Sequence, residues 1–448
     1  MAIEIIQSDD PLAAAKVRAI LETLCAGGLT APTGAAADMP AAVRDVIADV
    51  QARGDEAVCA LTERIERVRL TPQTMRVAPD EIAAAAERVA PDFRALIRRS
   101  AENVRAYQQA ILQPDPPPVV RGGRRLSARY TPIDRVGIFI PGGGGSGAVL
   151  VSSLVMTAVP AQVAGVGRIV IVSPPTVDGD VSDALLAAVA ELGLDEVWRV
   201  SGTGGLAALA FGTETMPRVD KIVGPGNAFI AEAKRQLFGR VGIDAIAGPS
   251  EVLIIADETA RADWLAADML AQAEHDPGSA VLVTTSSGLA GAVAAEIDRQ
   301  LDALDRADAA GRGIETGSAI IVAPDLDAAC DVANAFATEH LQVITADDEA
   351  VLGKIRHAGA IFVGGYTPVP LGDYYAGPSH VLPTGTTARF SGPLSCNDFR
   401  KASSVIRYDA DALAADAADV TAFARREGLT AHAAAVEKRL ERGRSNRD

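Results

Sequence analysis

VGIFI (136–140), RIVIVS (168–173), EVWRVS (196–201) and DKIVG (220–224) are short, mostly apolar and β-branched runs separated by stretches of helical period. The intervening text is AVLVSSLVMTAVPAQVAG (148–165), DALLAAVAELG (183–193) and GLAALAFG (205–212), and NAFIAEAKRQLFG (227–239) follows the last run. Strands that alternate with helices read as βαβ units, which build a parallel sheet with helices on both faces. The expected class is α/β.

The alternation resumes downstream. EVLIIAD (251–257), AVLVTTS (280–286), SAIIVA (318–323), LQVIT (341–345) and AIFVGG (360–365) are strands, with helical text between them, so a second parallel sheet is expected. Upstream, residues 40–111 carry apolar residues at spacings of three and four and read as two or three amphipathic helices. Pro114, Asp115, Pro116, Pro117 and Pro118 form a stiff break, and the basic patch of Arg121, Arg124 and Arg125 opens a new unit. From Tyr366 a long irregular stretch runs to Lys401, too long for an idle connection and a candidate functional loop. Helices close the chain over about 411–442.

The 448 residues suffice for roughly three domains, or two large ones with appendages. With 48% hydrophobic and 22% charged residues the composition is globular. Ten Phe, six Tyr and two Trp leave the core to Ala, Val, Leu and Ile. The 42 basic residues against 58 acidic ones give a net charge of −16, which repels nucleic-acid phosphates and anionic lipid. Cys25, Cys59, Cys330 and Cys396 show neither a disulfide framework nor thiolate zinc spacing, which fits a reducing cytoplasm. No secretory signal is read in MAIEIIQSDD. Residues 136–167 carry no charge, but the glycine run, Pro160 and Gln162 read as a buried turn and core helix rather than a membrane span.

His275, His340, His357, His380 and His432 are all the histidines, so few groups can transfer protons near neutral pH. Gly142, Gly144 and Gly147 spell the dinucleotide fingerprint between a strand and a helix, yet the next strand ends in Ser-Pro-Pro with no carboxylate for a ribose. Gln272 and His275 lie three apart near a helix end and share a face; they read as metal ligands or as a polar cap. Glu339 and His340 adjoin where a helix meets a strand, and could divide base and acid work or be ordinary boundary charges. Asp373 and His380 in the long loop are of metal-ligand type, or bond nearby backbone. His432 falls in the first turn of the last helix with Thr430 as N-cap candidate, and His357 reads as structural.

Together DRVGIFIPGG (134–143), VDKIVGPGNAFIAEAKRQ (219–236), AGPSEVLIIAD (247–257), LAQAEH (270–275), EHLQV (339–343), GDYYAGPSHVLPTGTTARFSGPLS (372–395) and EGLTAH (427–432) resemble histidinol dehydrogenases over nearly the whole chain. The resemblance implies oxidation of L-histidinol through the aldehyde to L-histidine with two NAD in succession, the last steps of histidine biosynthesis. It implies one zinc per subunit and a cytoplasmic homodimer with shared sites. Zinc ligands would be Gln272, His275, Asp373 and, across the dimer, His432. Glu339 would activate water at the aldehyde stage, and His340 would relay protons from the alcohol and contact substrate. Ser250 and Glu427 match substrate-contact positions, the latter from the neighbouring chain, and His380 supports the site. On the cofactor side Asn227 is retained, Phe139 replaces a usual tyrosine, and Gly204 stands in place of a glutamine. Backbone NH groups of a longer glycine loop, Gly143 to Ser146, would compensate.

The implied architecture is two Rossmann-like parallel-sheet domains with helical N- and C-terminal extensions. Residues 1–35 would be a helical extension, and 36–138 plus 250–394 a discontinuous first domain carrying the metal and catalytic residues. The NAD side would be 139–249, and 395–448 a helical dimerisation segment. Rival readings are a dehydrogenase of another polar alcohol such as a sulfonated diol, a zinc hydrolase using Glu339, and a non-catalytic metal scaffold.

Overall fold

The computed structural model describes residues 3–7, 10–29, 38–142, 149–275 and 278–444. Residues 1–111 with 133–399 form one compact unit, and 112–132 with 400–448 a second.

The first unit contains two wholly parallel sheets. One runs, in spatial order, Glu4–Gln7, Ala319–Val322, Gly278–Thr284, Ser250–Ala256, His340–Ile344 and Ala360–Val363. From Ser250–Ala256 the chain adds two strands on one side and then returns to add two on the other. The second sheet, Val197–Arg199, Arg168–Ser173, Arg135–Phe139, Lys221–Val223 and Gly242–Ile243, is built the same way. Counted from each central strand, both follow the order 3-2-1-4-5 of a doubly wound dinucleotide-binding sheet without its sixth strand. Two Rossmann-like sheets are therefore present, as the alternation requires.

Side-chain period explains why these runs are strands. Val252, Ile254 and Ala256 face one layer of helices, which includes Leu265, Met269 and Ala273 of Ala262–Ala273. Leu253 and Ile255 face the other, with Ala329, Ala333 and Phe336 of Leu326–Phe336. A strand covered on both faces has no polar side, so its sequence reads as a continuous apolar run.

Both terminal extensions are helical, as expected, and each also carries a strand. Within 1–35, Glu4–Gln7 is an edge strand in register with Ala319–Val322, and helix Ala13–Leu29 follows. Burial of Ile6 drives this pairing. Within 395–448, the nine-residue strand Arg400–Tyr408 pairs antiparallel with Arg124–Pro132, which also pairs with Val119–Arg121. KASSVIRY lacks a helical period, and the hairpin after the proline break supplies its partner. Helices Ala410–Arg426 and Thr430–Arg444 complete this second unit; Asp409 caps the first by accepting from the Ala412 amide. Thr430 is thus the first residue of the last helix. Within 136–167 lie a strand and the fourteen-residue helix Val151–Ala164, and no helix among the described residues is long and apolar enough to cross a membrane.

Candidate active site

A cavity of about 210 Å³ in the first unit is lined by residues of both sheets. The second sheet contributes the segment after its strand Lys221–Val223, namely Gly224, Pro225 and Gly226. This is the carboxyl end at the point where strand order reverses, the usual ligand crevice of such sheets. The first sheet does the opposite. Ser250 and His340 are the first residues of neighbouring parallel strands, so its amino ends face the cavity.

Register fixes the proton-transfer groups. His340 lies opposite Val252, which brings the preceding Glu339 beside Ser250 and Glu251. Ser250 Oγ donates to Glu339 Oε2 at 2.5 Å and accepts from Gln272 Nε2 at 2.6 Å. The Glu251 amide donates to the same Glu339 oxygen at 3.0 Å. His340 Nδ1 is 3.2 Å from the Glu251 carbonyl oxygen, which can only accept, so Nδ1 carries hydrogen. Its other nitrogen, Nε2, is buried without a hydrogen-bond partner, the nearest carboxylate oxygen being Asp373 Oδ1 at 3.6 Å. Burial opposes a charge on His340, but the Glu339 and Asp373 carboxylates outweigh it and raise the imidazole to about 9. An orphaned buried nitrogen beside a hydrogen-bonded carboxylate is equipped to exchange a proton with a small molecule in the cavity.

The residues expected to hold metal are divided. Gln272 is buried in the last turn of helix Ala262–Ala273, whereas His275 lies beyond the helix end, exposed, with its amide bonded to the Gln272 carbonyl at 3.3 Å. The helix ends at Ala273, two residues short of His275. Asp373 sits on the short helix Val369–Tyr374 within the long irregular stretch. Burial pushes its carboxyl up, but the neighbouring imidazoles, His340 foremost, hold it below its ordinary value. His275 and Asp373 both line the cavity. Among the described residues of one chain no group of three or more His, Cys, Asp and Glu is placed to hold a metal. A Gln, His and Asp set fits the donor chemistry of zinc and is one strong ligand short of a closed shell. Glu427 and His432 are both exposed and belong to the second unit.

His380 is half-buried, its Nδ1 2.8 Å from the Asp373 carbonyl oxygen and its Nε2 3.0 Å from Ser153 Oγ. Burial keeps its basicity low. It ties the Asp373 backbone to helix Val151–Ala164. His357 lines no part of the cavity.

A family model for histidinol dehydrogenase matches residues 30–440. The chain belongs to the histidinol dehydrogenase family. It is 49% identical over 403 residues to the histidinol dehydrogenase of Geobacillus kaustophilus, covering 90% of this chain and 94% of that one. Against that of Rhodopirellula baltica it is 47% identical over 399 residues, covering 89% and 86%. A crystal structure of histidinol dehydrogenase from Elizabethkingia anophelis superposes with a TM-score of 0.89 at 30% identity, covering 98% of both chains.

The cofactor-side positions singled out in the sequence have structural occupants. Phe139 is 4% exposed, in the core of the second sheet. A Cβ on Gly204 would meet Leu61 Cδ2 at 2.7 Å, so Leu61 fills the space beside it. Asn227 caps helix Ala228–Leu237, accepting from the Phe229 and Ile230 amides. Gly142 is demanded by the Pro174 carbonyl oxygen, 2.3 Å from where a Cβ would lie; Gly143 to Ser146, Gly144 and Gly147 lie outside the described residues.

Sequence reasoning missed a buried clamp on the same wall. Lys234 Nζ donates to the Gly224 carbonyl at 2.5 Å and to Asp244 Oδ1 at 2.6 Å, while Asp244 Oδ2 accepts from the Gly224 amide at 2.7 Å. Gly224 has φ +116° and no room for a Cβ against the Phe139 carbonyl. A lysine inside AFIAEAKRQL reads as a solvated helix charge, and nothing local announces its burial. Glu251 was also missed, although a lone carboxylate opening an apolar strand was a visible signal.

Proposed function

We propose that this histidinol dehydrogenase oxidises L-histidinol to L-histidine via L-histidinal, reducing two NAD in succession, as the final steps of histidine biosynthesis in the cytoplasm. The observation that carries the reading is the cluster of buried Glu339 and His340 with Ser250, with unpartnered His340 Nε2 directed toward Asp373 in the cavity that His275 also lines.

In this reading zinc is held by Gln272, His275, Asp373 and His432 of the partner subunit. Bound zinc supplies a Lewis-acid anchor for the amine and imidazole of histidinol, leaving the alcohol end free to react. Ser250 and Glu427 of the partner subunit contact substrate. In its neutral form, which gains population as pH nears about 9, His340 accepts the alcohol proton at Nε2 in the first oxidation. Glu339, its carboxylate oriented by Ser250 Oγ and the Glu251 amide, takes a proton from the water that adds to the aldehyde. His380 steadies the Asp373 segment. The carboxyl ends of the second sheet, where Asn227 opens helix Ala228–Leu237, would hold NAD, which would supply the hydride acceptor. Burial of the base pair, with Glu339 7% and His340 3% exposed, keeps a reactive aldehyde away from bulk water between oxidations.

A homodimer with shared sites is supported by the incomplete donor set of one chain and by the exposed Val119, Val120, Ile406 and Phe423 of the second unit. The test is to incubate the protein with zinc, NAD and L-histidinol and count NADH formed per histidinol consumed. About two supports the reading, and about one or none overturns it.

A further inference from the structure

Glu251 belongs to none of the roles assigned above, yet it touches both proton-transfer groups. Its main chain donates to Glu339 Oε2 at 3.0 Å and accepts from His340 Nδ1 at 3.2 Å. Its side chain answers in the other direction: Oε1 accepts from the Glu339 amide at 3.2 Å and from the Gly385 amide at 3.2 Å. Glu251 and Glu339 thus bond reciprocally, each carboxyl to the other's backbone NH, across strands 88 residues apart in sequence. The same oxygen ties the irregular 384–386 turn to the sheet, where Thr384 Oγ1 also accepts from the Gly248 amide at 2.6 Å.

We propose that Glu251 is a positioning residue for the oxidation: its carboxyl fixes the Glu339 backbone and the Gly385 turn so that the Glu339 carboxylate and His340 imidazole meet the substrate in one geometry. The proposal rests on the assignment of Glu339 and His340 given above. Without the side-chain acceptor, two buried NH groups lose their partner and Glu339 is free to rotate away from Ser250.

The role requires an acceptor oxygen at the right reach, not a charge. Two carboxyls this close, 3% and 7% exposed, cannot both ionise cheaply. Burial, reinforced by the Glu339 charge, pushes the Glu251 carboxyl up to about 8, so near neutral pH it is mostly protonated. The other titratable group facing it is His340, whose charge works the opposite way. A glutamine can therefore reproduce the bonding, while aspartate, one methylene shorter, cannot span both NH groups.

Three variants and one control test this at neutral pH with zinc content and folding checked on each. Glu251→Gln is expected to keep kcat within about threefold of the parent, and Glu251→Asp and Glu251→Ala to lose about tenfold or more in kcat, with KM for histidinol and NAD little changed. A Glu251→Gln protein that is folded and as impaired as Glu251→Ala overturns the proposal, as does a folded Glu251→Ala within threefold of the parent. Should Glu251→Ala not fold, Glu251→Asp against Glu251→Gln decides. Glu339→Gln run alongside separates the two levels: if it leaves both oxidations intact, the assignment of Glu339 fails first, and if it impairs turnover, the Glu251 result stands on its own.

Discussion

Lys234 and Asp244 form an ion pair with Nζ to Oδ1 at 2.6 Å, and both side chains are 3% exposed. A buried pair adds little net stability over an apolar one, but removing a single partner strands the other charge. Lys234→Met is expected to cost about 3–5 kcal/mol in urea unfolding. Because Lys234 and Asp244 together bind the NH and CO of Gly224, the double change Lys234→Met with Asp244→Leu should recover part of the stability but not the KM for NAD. Full recovery of both would show that the clamp does not shape the cofactor wall.

Glu339→Gln keeps an acceptor for Ser250 Oγ but removes the base. It is expected to spare alcohol oxidation more than aldehyde oxidation, by about tenfold or more between the half-reactions. Rates measured separately with histidinol and histidinal check this; equal losses would count against the assignment.

Glu251 also predicts a pH dependence of stability. Its carboxyl ionises near 4.5 when unfolded and near 8 when folded. Between these values the native state holds a proton that the unfolded state lacks, so this group's contribution to stability is complete below about 4.5 and is lost as pH rises through about 8. Glu251→Gln removes the dependence. The melting temperature of the variant relative to the parent should rise from pH 5 to 8 and level off above, and a difference independent of pH would contradict the origin given.

The proposed sharing of sites between subunits predicts complementation. Glu339→Gln and His432→Ala homodimers should each be nearly inactive. Mixed, unfolded together and refolded, they form heterodimers in which one site carries both changes and the other neither. Random pairing of equal amounts should restore about a quarter of the parental activity. No recovery from a properly refolded mixture would place His432 and Glu339 of the same chain in one site.

The sheets were readable because both are built from strands buried on two faces: EVLIIAD and RIVIVS contain no alternation to confuse with anything else. Glu4–Gln7 and Arg400–Tyr408 were not, since one is four residues long and the other mostly exposed, and each becomes a strand only through a partner remote in sequence. In the site, Glu339 and His340 stood out as neighbours of complementary chemistry. Glu251 and Lys234 did not, because their roles arise from register and from burial, which are properties of the folded chain. The spacing of Gln272 and His275 assumed a helix reaching His275, whereas the helix ends two residues earlier at Ala273.

Strand Ala319–Val322, whose Ala, Ile, Ile and Val are all buried, has Glu4–Gln7 as its neighbour on one side. Take that segment away and the outermost row of peptide NH and CO groups belongs to an apolar strand, with the geometry that recruits foreign chains into cross-sheet assemblies. Shortening the protein by its first seven residues would therefore leave the catalytic groups untouched while turning the molecule into a seed for its own precipitation.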